Sequence, residues 1–243
     1  MKGPDASEPR FVRRVARLEA RVAPHRWAWA EENRPLIDHH WAALTAEKPR
    51  MFNGRVLLLQ GQEIAGEICR ATYFETSYAD FLAWRDHGFP DASVANGFAM
   101  GALAGSDGGF VLGVMGAHTA NAGKIYFAAG TPDPSDVRPD GTVDLAGSVL
   151  RELREETGLV PDEPCVADHW IVARDGPKTA FLRPIRMPEP AAAVAARIER
   201  FLAEEPDPEL AGVVVARSAA DIDAAQMPSF LQLFLRWSFG EAG

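Results

Sequence analysis

Short apolar runs bounded by Gly, Pro, Asn and Asp alternate with longer stretches of helical spacing along most of this chain, and that alternation restricts the fold more than any other feature. Periods of two and of 3.6 residues bury different faces, so each run can be read as strand or helix. Phe11, Val15, Leu18 and Val22, with arginines between them, predict an amphipathic helix over 10–21. A second helical stretch follows at 31–46, and Trp27, Trp29 and Trp41 read as core or interface packing. After the turn signal Asn53-Gly54, the runs 55–60 and 68–74 predict an antiparallel hairpin. Residues 78–87 return to helical character until Gly88, Pro90 and Asp91 end it.

The same reading gives strands at 98–103 and 110–115 around the turn 106–109, and another strand at 124–129. Residues 132–140, rich in Pro and Asp, exclude long regular structure. A helix is expected over 145–157, then a hairpin from 167–174 and 179–185, a helix at 191–204, a strand at 213–215 and a closing helix at 228–237. Residues 1–9 are expected to fray. No repeat of solenoid period occurs, so mixed strands with a few helices predict an α/β or α+β sandwich.

Charge narrows the partners. The net charge of −9 over 243 residues repels a polynucleotide backbone, which argues against a nucleic-acid polymer as ligand. Cys69 and Cys165 are far apart and lack CxxC spacing, so neither a zinc site nor a disulfide framework is indicated and a reducing cytoplasm fits. The polar start and the absence of a long apolar run predict neither secretion nor a membrane span. A homodimer is the base-rate expectation for oligomeric state.

The helix at 145–157 carries the chemistry. At about 100° per residue, Ser148, Glu152, Glu155 and Glu156 share one stripe, with Val149, Leu150, Leu153 and Thr157 on the adjoining face. Asp144 suits the N-cap, and Gly158 the left-handed position after the last turn, with Leu159 closing it. Carboxylates at about 6 Å repel by roughly 0.7 kcal/mol in water and roughly 3 kcal/mol at an effective dielectric of 20. Arg151, one turn before Glu155, offsets part of this, whereas a hard divalent cation offsets more and shares its shell with substrate phosphates. A solvated acidic face is the plain alternative for any ExxEE on a helix.

The string Arg151-Glu152-Leu153-Arg154-Glu155-Glu156-Thr157-Gly158-Leu159 resembles the second half of the Nudix (MutT-like) box, R-E-U-x-E-E-x-G-U with U apolar, at every specified position. The resemblance covers about residues 95–240. It implies an α/β/α sandwich with a mixed sheet at 95–243, preceded by a small α+β extension of helices plus a hairpin at 1–94. It also implies Mg²⁺, with Mn²⁺ as a substitute, held by Glu152, Glu155 and Glu156. One of the three glutamates would act as the base, with Glu155 a candidate and the choice among them left open, and Arg151 would orient the glutamates. The implied reaction is hydrolysis of the phosphoanhydride of a nucleoside diphosphate linked to another group. Glu204, Glu205 and Glu209 are loop carboxylates that either join such a site or are simply solvated.

The first half of the box departs from the pattern. The family has a Gly and, six residues later, a Glu eight positions before the box Arg; Val143 stands at that place, with Asp144 beside it. If Gly130 takes the glycine's role, 132–140 becomes an insertion. Trp41, the run Pro49-Arg50-Met51-Phe52-Asn53-Gly54-Arg55-Val56 and Thr76-Ser77-Tyr78-Ala79-Asp80-Phe81 resemble the extension of eukaryotic Nudix proteins that hydrolyse UDP-glucose and UDP-galactose. The same residues also read as turn and core. His118 and Lys124, ahead of Gly130, are candidates to meet a phosphate or ordinary surface residues. The disrupted first half keeps a second reading open, a Nudix-fold nucleotide sensor that binds without turnover.

Overall fold

The computed structural model describes residues 10–241, so the fraying expected at residues 1–9 lies outside the described residues. Two strands, β1 (Arg10–Val15) and β2 (Arg17–Val22), open it where a helix was expected. Phe11 and Val15, like Leu18 and Val22, are spaced by four, a separation that puts residues on one face in a strand as well as in a helix. Long-range pairing decides between the two: β1 zips antiparallel onto a strand late in the chain, and β2 parallel onto the first hairpin. Next come α1 (Ala28–Glu32), α2 (Arg34–Glu47), the hairpin β3 (Arg55–Ala65) and β4 (Ile68–Ser77), and α3 (Tyr78–Asp86), whose N-terminus is closed by a reciprocal Ser77 and Asp80 cap.

The remaining strands are β5 (Asn96–Ala104), β6 (Phe110–Met115), β7 (Ile125–Tyr126), β8 (Ala129–Gly130), β9 (Trp170–Asp175), β10 (Lys178–Arg186) and β11 (Leu210–Ala216). The helices are α4 (Leu145–Thr157), α5 (Ala191–Glu204) and α6 (Ser229–Ser238). Among the described residues the main sheet runs β1-β9-β10-β5-β6-β11, with β7 on β6 and β8 on β5. β10 and β5 are parallel and their neighbours antiparallel, so the sheet is mixed. The expected strand at 124–129 is two short pieces, because β5 and β6 pair only at Ala104 and Phe110 and then splay. The segment crosses the opening, pairing first with β6 and then with β5.

Helices cover both faces of this sheet. Phe98 packs edge-on against Phe230 of α6 at 5.0 Å, whereas a Cβ on Gly101, three residues along β5, would lie 3.4 Å from Val149 of α4. Side chains alternate along a strand, so α6 and α4 lie on opposite faces, and the α/β sandwich expected from the sequence is present. A smaller sheet, β2-β4-β3, stands beside it under α1, α2 and α3. Its Trp27, Phe74 and Trp84 pack edge to face at 5.8–6.0 Å, which gives the N-terminal tryptophans their packing role. None of the described helices is long and apolar enough to cross a membrane. Cys69 and Cys165 are both free.

Candidate active site

α4 begins and ends where local chemistry dictates. The Asp144 carboxylate accepts from the Gly147 N–H at 3.0 Å and from Arg138 at 2.9 Å, which satisfies an orphan donor of the first turn. At the other end Gly158 takes φ 69°, and its N–H donates to the Arg154 carbonyl at 2.8 Å. A side chain there would also meet the Phe201 ring at 2.4 Å, so glycine is needed twice over. Val149 and Leu153 are buried as expected, but Leu150 is 40% exposed. It sits at the edge of the apolar stripe, and the core is already filled by its neighbours.

The three glutamates occupy three different environments. Glu156 is only 4% exposed; its Oε1 accepts from the Ala129 N–H at 3.0 Å, and its Oε2 is buried with no hydrogen-bond partner. Burial pushes its carboxyl up to about 8, with the negative charges of Glu209, Glu152 and Glu155 adding to the shift. Glu152 is also raised, chiefly by burial, although the Arg151 guanidinium pulls it back. Its carboxylate lies so close under β8 that a Cβ on Gly130 would sit 2.4 Å from Glu152 Oε1. Glu155 projects outward, 54% exposed, 3.9 Å from Arg154.

Arg151 departs from the expected pairing with Glu155. Its guanidinium donates to Glu152 Oε1 at 3.1 Å and to Asp136 Oδ1 at 2.7 Å. Asp136, with its side chain 1% exposed, is a residue of this cluster that the sequence reading missed. Its second oxygen accepts from the Asp133 N–H at 3.1 Å and so closes the short 3-10 turn Pro134–Asp136. Asp136 stands six residues after Gly130, the spacing the box prescribes for its loop acid, and that was the available signal. The added residues therefore follow Asp136. They form a miniature hairpin closed by a bridge between Val137 and Val143, and Val143 is a buried core residue.

The small sheet pins this loop. The Leu57 N–H donates to the Pro132 carbonyl at 2.8 Å, Val143 N–H to Ala20 at 2.9 Å, and Val22 N–H to Gly141 at 3.0 Å. The N-terminal strands thus fix the segment that carries Asp136. Of the other sequence candidates, Glu209 is exposed but close enough to raise both Glu152 and Glu156. Glu204 and Glu205 end α5 in solvent, and exposed His118 lies 4.0 Å from Asp207.

Among the described residues, no three Asp, Glu, His or Cys side chains converge into a ready metal cage. Mg²⁺ does not require one, since it keeps several waters and takes one or two carboxylates together with substrate phosphates. The unpartnered Glu156 Oε2, and a glycine at the point where Glu152 meets the sheet, fit such a partial shell.

Across β8 from the acid helix lies a cleft of about 320 Å³, and Ala129 and Gly130 form part of its lining. α3 contributes Tyr78, Phe81 and Arg85, β5 contributes Asn96 and Phe98, and β10 contributes Lys178. Lys124 lines the cleft as well. Aromatic walls with a few polar and cationic groups are what an aromatic anionic ligand requires. The Asn96 side-chain oxygen is buried without a partner, a group that a ligand donor would satisfy.

No protein-family model matches this chain, and no curated protein matches it. Among solved structures, it is similar to the MutT protein from Methanosarcina mazei Go1, at 17% identity over 59% of this chain and 92% of that one, with a TM-score of 0.33.

Proposed function

We propose that this protein is a Mg²⁺-dependent, Nudix-type diphosphohydrolase that cleaves the phosphoanhydride of a nucleoside diphosphate linked to a second group, such as a sugar nucleotide of the UDP-glucose kind. The observation that carries the reading is Glu156. A carboxyl buried with one oxygen unpartnered, beside a second, half-buried one, ionises at neutral pH only at a cost that a bound cation would offset. Glu152 and Glu156 would hold the ion together with substrate phosphates, and Glu155, the third glutamate expected from the sequence, projects away from that shell. When bound, such an ion supplies charge withdrawal from phosphate oxygens and a more acidic water.

The chain's own residues do the rest. Arg151, anchored by Asp136, fixes the Glu152 carboxylate so that no reorganisation is needed when the ligand arrives. Glu155 alone of the three faces solvent, which suits it to take the proton from an attacking water. Gly130 keeps the ridge between α4 and the cleft free of side chains, and the aromatic wall from α3 and β5 accommodates the nucleoside.

The test is a panel of nucleoside diphosphate derivatives incubated with Mg²⁺ and analysed for products, with Glu155→Gln and Glu156→Gln beside the parent. Metal-dependent turnover that falls by about 10²-fold or more in both variants is expected. Tight binding with no turnover across the panel would replace the hydrolase with a nucleotide sensor.

A further inference from the structure

Lys178 enters the cleft from the first position of β10, half-buried. The other cations of the cleft are engaged: Arg85 pairs with Asp86 at 2.7 Å, and the Lys124 ammonium donates to the Ala225 carbonyl at 3.1 Å. Among the described residues the Lys178 ammonium has neither a carboxylate nor a hydrogen-bond acceptor; its recorded neighbour is the Phe89 ring, 5.6 Å away. Asp175, the carboxylate whose field reaches it, is taken by Arg10 at 3.2 Å. A half-buried ammonium without an anion keeps only part of its hydration, so an anion entering the cleft would gain a charge partner there.

Phe89 backs the ammonium from outside the cleft lining. It is the one non-glycine residue with positive φ among the described residues, at 58°, a conformation that a bulky side chain avoids. Its ring is locked edge-on against Trp84 at 4.7 Å. The conformation belongs to the turn that ends α3, where the Gly88 N–H donates to the Arg85 carbonyl at 3.1 Å and the Phe89 N–H to the Trp84 carbonyl at 2.9 Å, and it fixes the ring beside the Lys178 ammonium.

We propose that Lys178, backed by Phe89, anchors an anion subsite at the α3 end of the cleft, and that it takes an anionic group of the ligand remote from the oxygens facing the acid helix. The sheet register supports the separation. Lys178 is level with Asn96 on one side of β5, and Gly130 with Ala99 on the other. Three residues along and two strands across amount to about 14 Å between backbones. Burial and the neighbouring Arg85 lower the Lys178 ammonium's proton affinity, as an unpaired cation's would be. The proposal rests on the diphosphohydrolase reading only for the class of ligand that enters. The ligand's second group would then carry a carboxylate or a phosphate.

The test measures binding by calorimetry at low salt without Mg²⁺, so that turnover plays no part. Two matched ligand pairs each differ by one anion: UDP-glucose against UDP-glucuronate for a carboxylate, and NADH against NADPH for a phosphate. The parent should bind the more anionic member of one pair at least about tenfold more tightly. Lys178→Gln should erase that preference with binding of the less anionic member unaffected, and Lys178→Arg should keep most of it. Because Lys178→Gln removes an unpaired, half-buried charge, its melting temperature should equal or exceed that of the parent. A parent that discriminates neither pair, or a preference that survives Lys178→Gln, overturns the subsite. A Lys178-dependent preference in a protein without Mg²⁺-dependent turnover would sink the hydrolase and leave the subsite standing.

Discussion

Burial of Glu156 sets stability against chemistry at one side chain. Its carboxyl is raised from 4.5 to about 8, so the folded protein binds a proton there that the unfolded chain has already lost. The associated stability is complete below the unfolded value and is lost as pH climbs through the folded one. Over that window the metal-free parent should lose on the order of 5 kcal/mol from this group alone, about 3 kcal/mol of it between pH 5 and pH 7.5. Glu156→Gln should flatten the loss and raise stability at pH 7.5, as read by urea unfolding at pH 5 and 7.5, while it removes turnover. Equal pH slopes in parent and variant would contradict the burial argument. Asp136 works in the opposite sense. Asp136→Asn leaves Arg151 without its anchoring charge and should cost about 1–3 kcal/mol of stability. Any Mg²⁺-dependent activity should fall with it, because Glu152 loses a fixed partner. An Asp136→Asn protein with parental kinetics would reduce that ion pair to scaffolding.

At the level of elements, α4 shows what is local and therefore legible. Asp144 and Gly158 sit at the ends expected of them, because capping depends on a few adjacent residues. Gly158→Ala should lower stability by about 1–2 kcal/mol, through the left-handed backbone and the collision with Phe201, and differential scanning calorimetry would register the drop. The strands β1 and β2 were not legible. Their apolar spacing of four serves a helix equally well, and the partners that decide the matter lie far along the chain. Asp136 was half legible: its distance from Gly130 is written in the sequence, but the hairpin that displaces Arg151 downstream is not. The cleft was least legible of all, since α3, β5, β10 and α6 meet only through the topology of the sheet.

At the level of the molecule, the N-terminal strands and the strands that carry the site share one core. Val15, Leu57 and Tyr73 are buried in the same cluster as Phe98, Val172 and Phe181. Residues 95–243 expressed alone should therefore fail to give a cooperative thermal transition, both because that core would be opened and because the loop bearing Asp136 would lose its three backbone anchors. Adding residues 1–94 as a separate chain should restore the transition if the missing contacts are the cause.

The pairing of β1 with β9 also bears on how this protein is made. Arg10 faces Asp175 across the ladder, so β1, once out of the ribosome, waits for a partner synthesised some 165 residues later. Until then its arginine-rich flank stays in solution as an open edge, and those charges discourage neighbouring nascent chains from docking there. Sheet closure is thus a late event of synthesis, and a translational pause shortly before Asp175 would hold the chain at its most protease-sensitive.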